Sequence, residues 1–343
     1  MAETNDILEV AKMTISASIK CNTVRGFIGW HSCDNICMDM HDVLDMCEDA
    51  FKKERYQEAL EADAYVLVSG VKLASCADSS SGMLTDVIMR AFELIDLSTQ
   101  TIAKLDVAMR KHALSLIIKE AKKKAFDGWD LWRYELLEKA VCLCDEKLAI
   151  KLEKLLDVFL EDIENDYMPE YKRQEDTILR YKLHRHLKGA DAVKDELYAN
   201  LHIREMRIIA VKDATDARNY NEAEKLCLEQ IKKEDGRFYR NTPEDWNNIL
   251  FDVYMQSDIT DKQIEQAKKI LLLGNEGFWD VLKRLYQSLG TWESQKPILL
   301  KELKQCKYSV CYRSVLVEEN EKELLLEAVT ENPYNLFYYG QFL

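Results

Sequence analysis

Phe51-Lys-Lys-Glu-Arg-Tyr56-Gln-Glu-Ala59-Leu60 is a short charged turn flanked by two apolar stripes, and its reading decides the fold. Ahead of it, Cys33, Cys37, Met40, Leu44, Cys47 and Phe51 recur at steps of four and three, the spacing of one helix face. Behind it, Leu60, Ala64, Leu67, Val71 and Ala74 repeat that spacing. Two such stripes joined by a short polar turn predict an antiparallel helical hairpin. One hairpin covers only one side of each helix, so further hairpins must stack beside it.

Composition agrees with a helical array. Of 343 residues only 11 are Gly and 4 are Pro, too few for the many turns of a β-rich fold. Hydrophobic residues at 47% and charged residues at 31% give a chain that buries a core. The net charge of −14 opposes broad attachment to nucleic acid or to an anionic membrane surface. Ten cysteines fall mostly on apolar stripes, and Met1-Ala-Glu-Thr-Asn-Asp6 carries no secretory pattern. The expectation is a cytosolic protein whose thiols serve as small hydrophobes, with no transmembrane span.

In chain order, helices are expected over residues 3 to 22, from Ser32 or Asp34 to Phe51, and from Tyr56 to about Ala77. Asp78-Ser-Ser-Ser-Gly82 reads as a capping turn, with a calcium loop as the weaker match because no acidic residue closes it. Asp106 begins another helix, ended by Lys122 to Lys124 and Gly128. Helices Asp130 to Cys144 and Asp145 to Ile163 follow. Asn165-Asp-Tyr-Met-Pro169 then divides the chain into a 1–166 array and a 167–343 array, which could also form one continuous solenoid.

The second half repeats the plan. Glu170 to Lys188 is a helix closed by Gly189, and Asp191 is placed to cap the next. Arg218-Asn-Tyr220-Asn-Glu-Ala223 echoes Arg55-Tyr56-Gln-Glu-Ala59. Thr242-Pro243 reads as a helix start, and further helices are expected over 246–254, 264–273, 278–289, 292–306 and 308–329. About fifteen helices and no strand result.

These pieces, Tyr56-Gln-Glu-Ala59-Leu60, Asp78 to Gly82, Phe126-Asp-Gly-Trp129, Asn219 to Ala223 and Ala267 through Tyr286, together resemble the helical region of bacterial SWIM zinc-finger proteins over roughly residues 25 to 330. The Tyr-x-Glu-Ala pieces also look like tetratricopeptide repeats. A SWIM finger pairs Cys-x-Cys with a later Cys-x-His, whereas this chain has Cys142-Leu-Cys144 and no Cys-x-His. The resemblance therefore implies a helical interaction region and no zinc-finger role.

Three segments carry residue types that do chemistry. His31, Cys33, Cys37 and His41 are zinc-ligand types on adjacent turns, and His41-Asp42 is the dipeptide of helical metal-dependent phosphohydrolases. The competing reading places Cys33 and Cys37 in the core beside Met40 and Leu44. Arg173, Arg180, His184 and Lys188 fall near one helix face with Tyr171 and Tyr181, a pattern suited to nucleic acid but diluted by Glu170, Glu175 and Asp176. Lys119 to Trp132 joins a lysine cluster to two tryptophans, suited to an acidic partner or to a packed helix end. No catalytic signature is present.

The resulting expectation is an all-α solenoid of stacked antiparallel hairpins, without a cofactor, acting as a non-catalytic scaffold for another protein or peptide segment. A metal-dependent hydrolase or zinc-binding regulator centred on residues 31–42, and a nucleic-acid accessory factor using helix 171–188, are the alternatives. The apolar end Tyr338 to Leu343 is expected to continue into a longer chain or to dock on a partner.

Overall fold

The computed structural model describes residues 6–161, 163, 168–234, 245–306, 309–330 and 333–343. Among them the fold is all-α: eighteen α-helices, short 3-10 turns and two isolated β-bridges, with no strand. They form two compact units, Met1–Ala199 and Asn200–Leu343. The Asn165 to Tyr167 interruption, the Thr242-Pro243 helix start and Tyr308 lie outside the described residues.

The first unit holds α1 (Ile7–Asn22), α2 (Trp30–Lys52), α3 (Tyr56–Ala74), α4 (Met83–Ile102), α5 (Val107–Ala121), α6 (Asp130–Glu138), α7 (Glu146–Leu160), α8 (Pro169–Lys188) and α9 (Lys194–Ala199). The α2–α3 hairpin is the one expected. Its turn closes because Glu54 takes φ 63°, which lets the Arg55 N–H reach the Ala50 carbonyl at 3.0 Å. A second tie joins the far ends of the two helices: the Ile28 N–H donates to the Cys76 carbonyl (3.2 Å) and the Asp78 N–H donates to the Ile28 carbonyl (2.8 Å). Just before it, Arg25 and Gly26 both take positive φ (51° and 81°), as a tight type I′ turn requires.

Helix α3 departs from the single-stripe reading. It packs against α1, α2, α4 and α5 and is buried nearly all round. Ala59, Ala62, Ala64 and Gly70 make this possible, since small side chains let neighbouring helices approach closely. A Cβ on Gly70 would lie 3.0 Å from Ile88 Cγ1 of α4. Burying every face also buries Asp63, which is 1% exposed. Burial pushes its carboxyl up to about 8, against the opposing pull of the Cys47 thiol and the Arg90 guanidinium.

The second unit holds α10 (Arg204–Asp216), α11 (Tyr220–Glu234), α12 (Trp246–Ser257), α13 (Thr260–Leu272), α14 (Phe278–Ser288), α15 (Trp292–Gln305), α16 (Ser309–Glu318), α17 (Lys322–Thr330) and α18 (Pro333–Tyr339). Here each helix packs chiefly on the next in sequence, the nearest-neighbour habit of helical repeats. A core running from Phe251 through Trp279, Trp292 and Leu303 to Val329 joins α12 to α17.

Several expected boundaries are corrected. The helix read from Asp130 to Cys144 stops at Glu138 and gives way to a 3-10 turn at Val141–Leu143. The helix read from 308 to 329 is two, because Asn320 takes φ 55° between them, a conformation that asparagine tolerates better than most residues. Neither Ser32 nor Asp34 caps α2, whose N-cap is Gly29. Asp34 instead accepts a hydrogen bond from Ser81 Oγ at 2.5 Å. Asp191 opens a 3-10 turn that runs into α9. Asp106 and Asp145 stand at the starts of α5 and α7 as expected, and each is the N-cap, accepting from Met109 N (3.0 Å) and Leu148 N (2.9 Å).

Asp63 gives the first prediction. Its carboxyl is held protonated at neutral pH, while in the unfolded chain it ionises near ~4. The unfolded state then binds fewer protons, so the stability from this group falls as pH rises from ~4 towards about 8. Asp63→Asn keeps the shape and removes the ionisable group. Urea unfolding across this range is expected to show a shallower pH dependence in the variant; equal slopes would contradict the assignment.

Candidate functional site

The zinc-type residues near the start of α2 do not converge. Cys33 and Cys37 point into the core with no exposure, and burial pushes both thiols up, which favours the protonated form over the metal-binding thiolate. His31 lies on the exposed side, its ring stacked on Trp30 with centroids 3.3 Å apart. His41 is engaged by Arg90 of α4, whose Nη1 donates to His41 Nδ1 at 3.3 Å while Nη2 reaches Asp45 at 2.5 Å. Asp42 is exposed. Among the described residues no three His, Cys, Asp or Glu side chains come together as a metal set. Asp78 accepts the Ser80 N–H and Ser81 Oγ accepts the Met83 N–H, so the serine loop leads into α4 as a capping turn.

The basic face of α8 is largely matched by carboxylates. Arg180 donates to Asp176 (2.7 Å) and Asp157 (2.9 Å), and His184 sits between Glu196 (3.0 Å) and Glu153 (3.5 Å). Lys182 and Lys172 reach Glu138 and Asp130. Tyr181 is fully buried and presents no ring for stacking. Arg173 is half-buried and Lys188 exposed. At the turn before α6, Trp129 and Trp132 stack on each other (4.6 Å, 16°), and Trp129 Nε1 donates to Ser75 Oγ.

The second unit carries a groove of about 340 Å³ between α15 and the pair α16 and α17. Leu300 and Tyr312 form its buried floor, and Pro297 and Leu324 its walls. Lys296, Lys301 and Lys304 edge it against one carboxylate, Glu321. Lys301 is exposed and has no ion-pair partner among the described residues; Lys304 reaches exposed Glu327 at 2.8 Å. Pro297 sits inside α15, where it cannot donate to the carbonyl one turn back.

Glu319, in the turn between α16 and α17, fixes the groove's shape. It accepts from Trp279 Nε1 (3.0 Å) and Lys283 (2.7 Å) of α14 and from Lys296 (2.9 Å) of α15. Lys296 also reaches Glu321 at 2.7 Å. Burial alone would raise the Glu319 carboxyl, but these three donors outweigh it and hold it near 2. One side chain thus ties three helices, and the Trp279 and Trp292 rings pack edge to face beneath it, 5.3 Å apart. No local pattern announces this clamp: Glu318-Glu319-Asn320-Glu321 is an acidic run, and the lysines that complete the clamp lie far back in the chain.

Glu319→Gln keeps the shape but loses the charge-assisted bonds, and is expected to lower stability by about 2 kcal/mol. Because the folded carboxyl lies below its ordinary value, this stability is present above ~4.3 and is lost as pH falls towards 2. Thermal unfolding of both proteins from neutral to acid pH checks this: the gap between them should close on acidification. A constant gap would exclude the charge as its source. Comparison of the chain with protein-family models, with curated proteins and with solved structures gives no match.

Proposed function

We propose that this protein is a non-catalytic interaction scaffold whose α15–α17 groove receives an acidic, amphipathic segment of another protein. The observation that carries this reading is the groove's chemistry. An apolar lining of Leu300, Tyr312, Pro297 and Leu324 takes the apolar stripe of a helix, and exposed Lys301, with Lys304 one turn along, selects acidic flanks. The Lys304–Glu327 pair is exposed on both sides and is worth little, so a partner's carboxylate replaces Glu327 at small cost.

Two further features support the reading. The same unit exposes a run of aromatic surface on α18, where Phe337 is 86% and Tyr334 81% exposed, a kind of surface that marks interaction sites. The resemblance of residues 25 to 330 to the helical region of bacterial SWIM proteins points to the same class, a cytosolic helical-repeat scaffold. Among the described residues no helix is long and apolar enough to cross a membrane.

The test uses two fluorescent helical peptides with the same leucine stripe, one flanked by glutamates and one by lysines. The acidic peptide is expected to bind saturably, more weakly as salt rises, and at least tenfold more weakly to Lys301→Glu. The lysine peptide should not bind. Equal binding of both peptides, or full binding by Lys301→Glu, overturns the proposal.

A further inference from the structure

Helix α18 reverses the usual pattern of a surface helix, whose apolar stripe faces inward. Tyr334, Phe337 and Tyr338 stand at steps of three and one, so i, i+3 and i+4 share a face, and that face is the outward one: the three are 81%, 86% and 66% exposed. Phe337 and Tyr338 already meet edge to face, with centroids 5.3 Å apart. The inward side holds half-buried Asn335 and Tyr339. Tyr339 packs on the core of the second unit, and the Arg313 guanidinium lies 5.3 Å from its ring centroid. Beyond the helix, Lys322 donates to the main-chain oxygen of Leu343 at 3.1 Å. The aromatic face is therefore presented by an element tied to the unit beneath it.

Charge narrows the choice of what covers this face. Residues 333–343 contain no charged side chain, in a chain where 31% are charged and the net charge is −14. A partner selected by charge finds nothing there to read. Two copies of an acidic chain repel each other over most of their surfaces, but meeting at α18 they set no charge against a like charge. Area points the same way. With exposed Leu336, Phe342 and Leu343 the patch amounts to on the order of 700 Å². That exceeds the largest apolar patch of a typical monomer and approaches the roughly 800 Å² that each partner gives to a standard interface. Its composition, rich in aromatics and free of charge, is that of homodimer contacts.

We propose that α18 is a self-association face, through which two copies of this chain pair about a twofold axis by Tyr334, Phe337 and Tyr338. Such a contact needs a surface complementary to itself, and aromatic rings meet that need because the edge of one fits the face of another. None of these residues lines the α15–α17 groove, and the pairing does not rest on the scaffold reading.

Sedimentation equilibrium of the full chain over a range of concentrations tests it. A reversible monomer–dimer equilibrium is expected, and it should tighten as salt rises, because salt screens the repulsion between two acidic chains. Phe337→Glu sets a carboxylate against its twofold copy and should weaken dimerisation at least tenfold, with an unchanged circular dichroism spectrum. Met13→Glu adds the same charge at a 67% exposed position of the first unit and should leave dimerisation as it was. A monomer at every concentration, a dimer that salt weakens, or equal dimerisation by Phe337→Glu and the original chain overturns the proposal.

Discussion

The first unit depends on one helix, α3, that is buried nearly all round, with only Lys72 fully exposed. Helix α3 supplies its own backbone hydrogen bonds, so burying it costs little in unpaired main-chain groups, but it leaves room only for small or apolar side chains. Ala59, Ala62, Ala64 and Gly70 meet that demand, and Leu60, Leu67 and Val71 fill the space between neighbours. Asp63 is the ionisable residue among its buried positions. A carboxylate there would pay a large desolvation penalty, and the protein avoids it by keeping the proton.

The second unit solves a different problem. Helices that pack chiefly on their sequence neighbours have few long-range contacts to fix their angles, and a polar clamp does so here. Glu319 draws donors from α14 and α15 to the turn after α16, over an apolar layer of Trp279 and Trp292. Such a clamp sets geometry more than it adds stability. Its consequence is a preformed groove, whose lysines stand out on a chain of net charge −14. Under the scaffold reading proposed above, exposed Lys301 is the charge an acidic partner would meet, while the acidic remainder of the chain would repel it.

The helical character and most helix starts were legible in the sequence, since they rest on local facts: the 3.6-residue spacing, Asp106 and Asp145 as caps, Pro169 as a first-turn residue and Gly189 as a stop. The split at Asn320 was not, because only its positive φ distinguishes it from the helix-favouring residues around it. Candidate sites read from residue types fared differently. Cys33 and Cys37 share a face with His41 in sequence spacing, yet the structure turns the thiols inward and gives His41 to Arg90. The basic spacing of Arg180 and His184 is real, but Asp157, Glu153 and Glu196 come to them from other helices. The α15–α17 groove is assembled from separated segments, and no short stretch of sequence announces it.

Hydrogen–deuterium exchange of the full chain, with and without a saturating acidic amphipathic helical peptide, tests the central claim most directly. If the groove is the docking site, added protection is confined to α15, α16 and α17, with the Glu319 turn among the strongest changes. Protection in the first unit alone, or spread evenly over both units, would contradict the account.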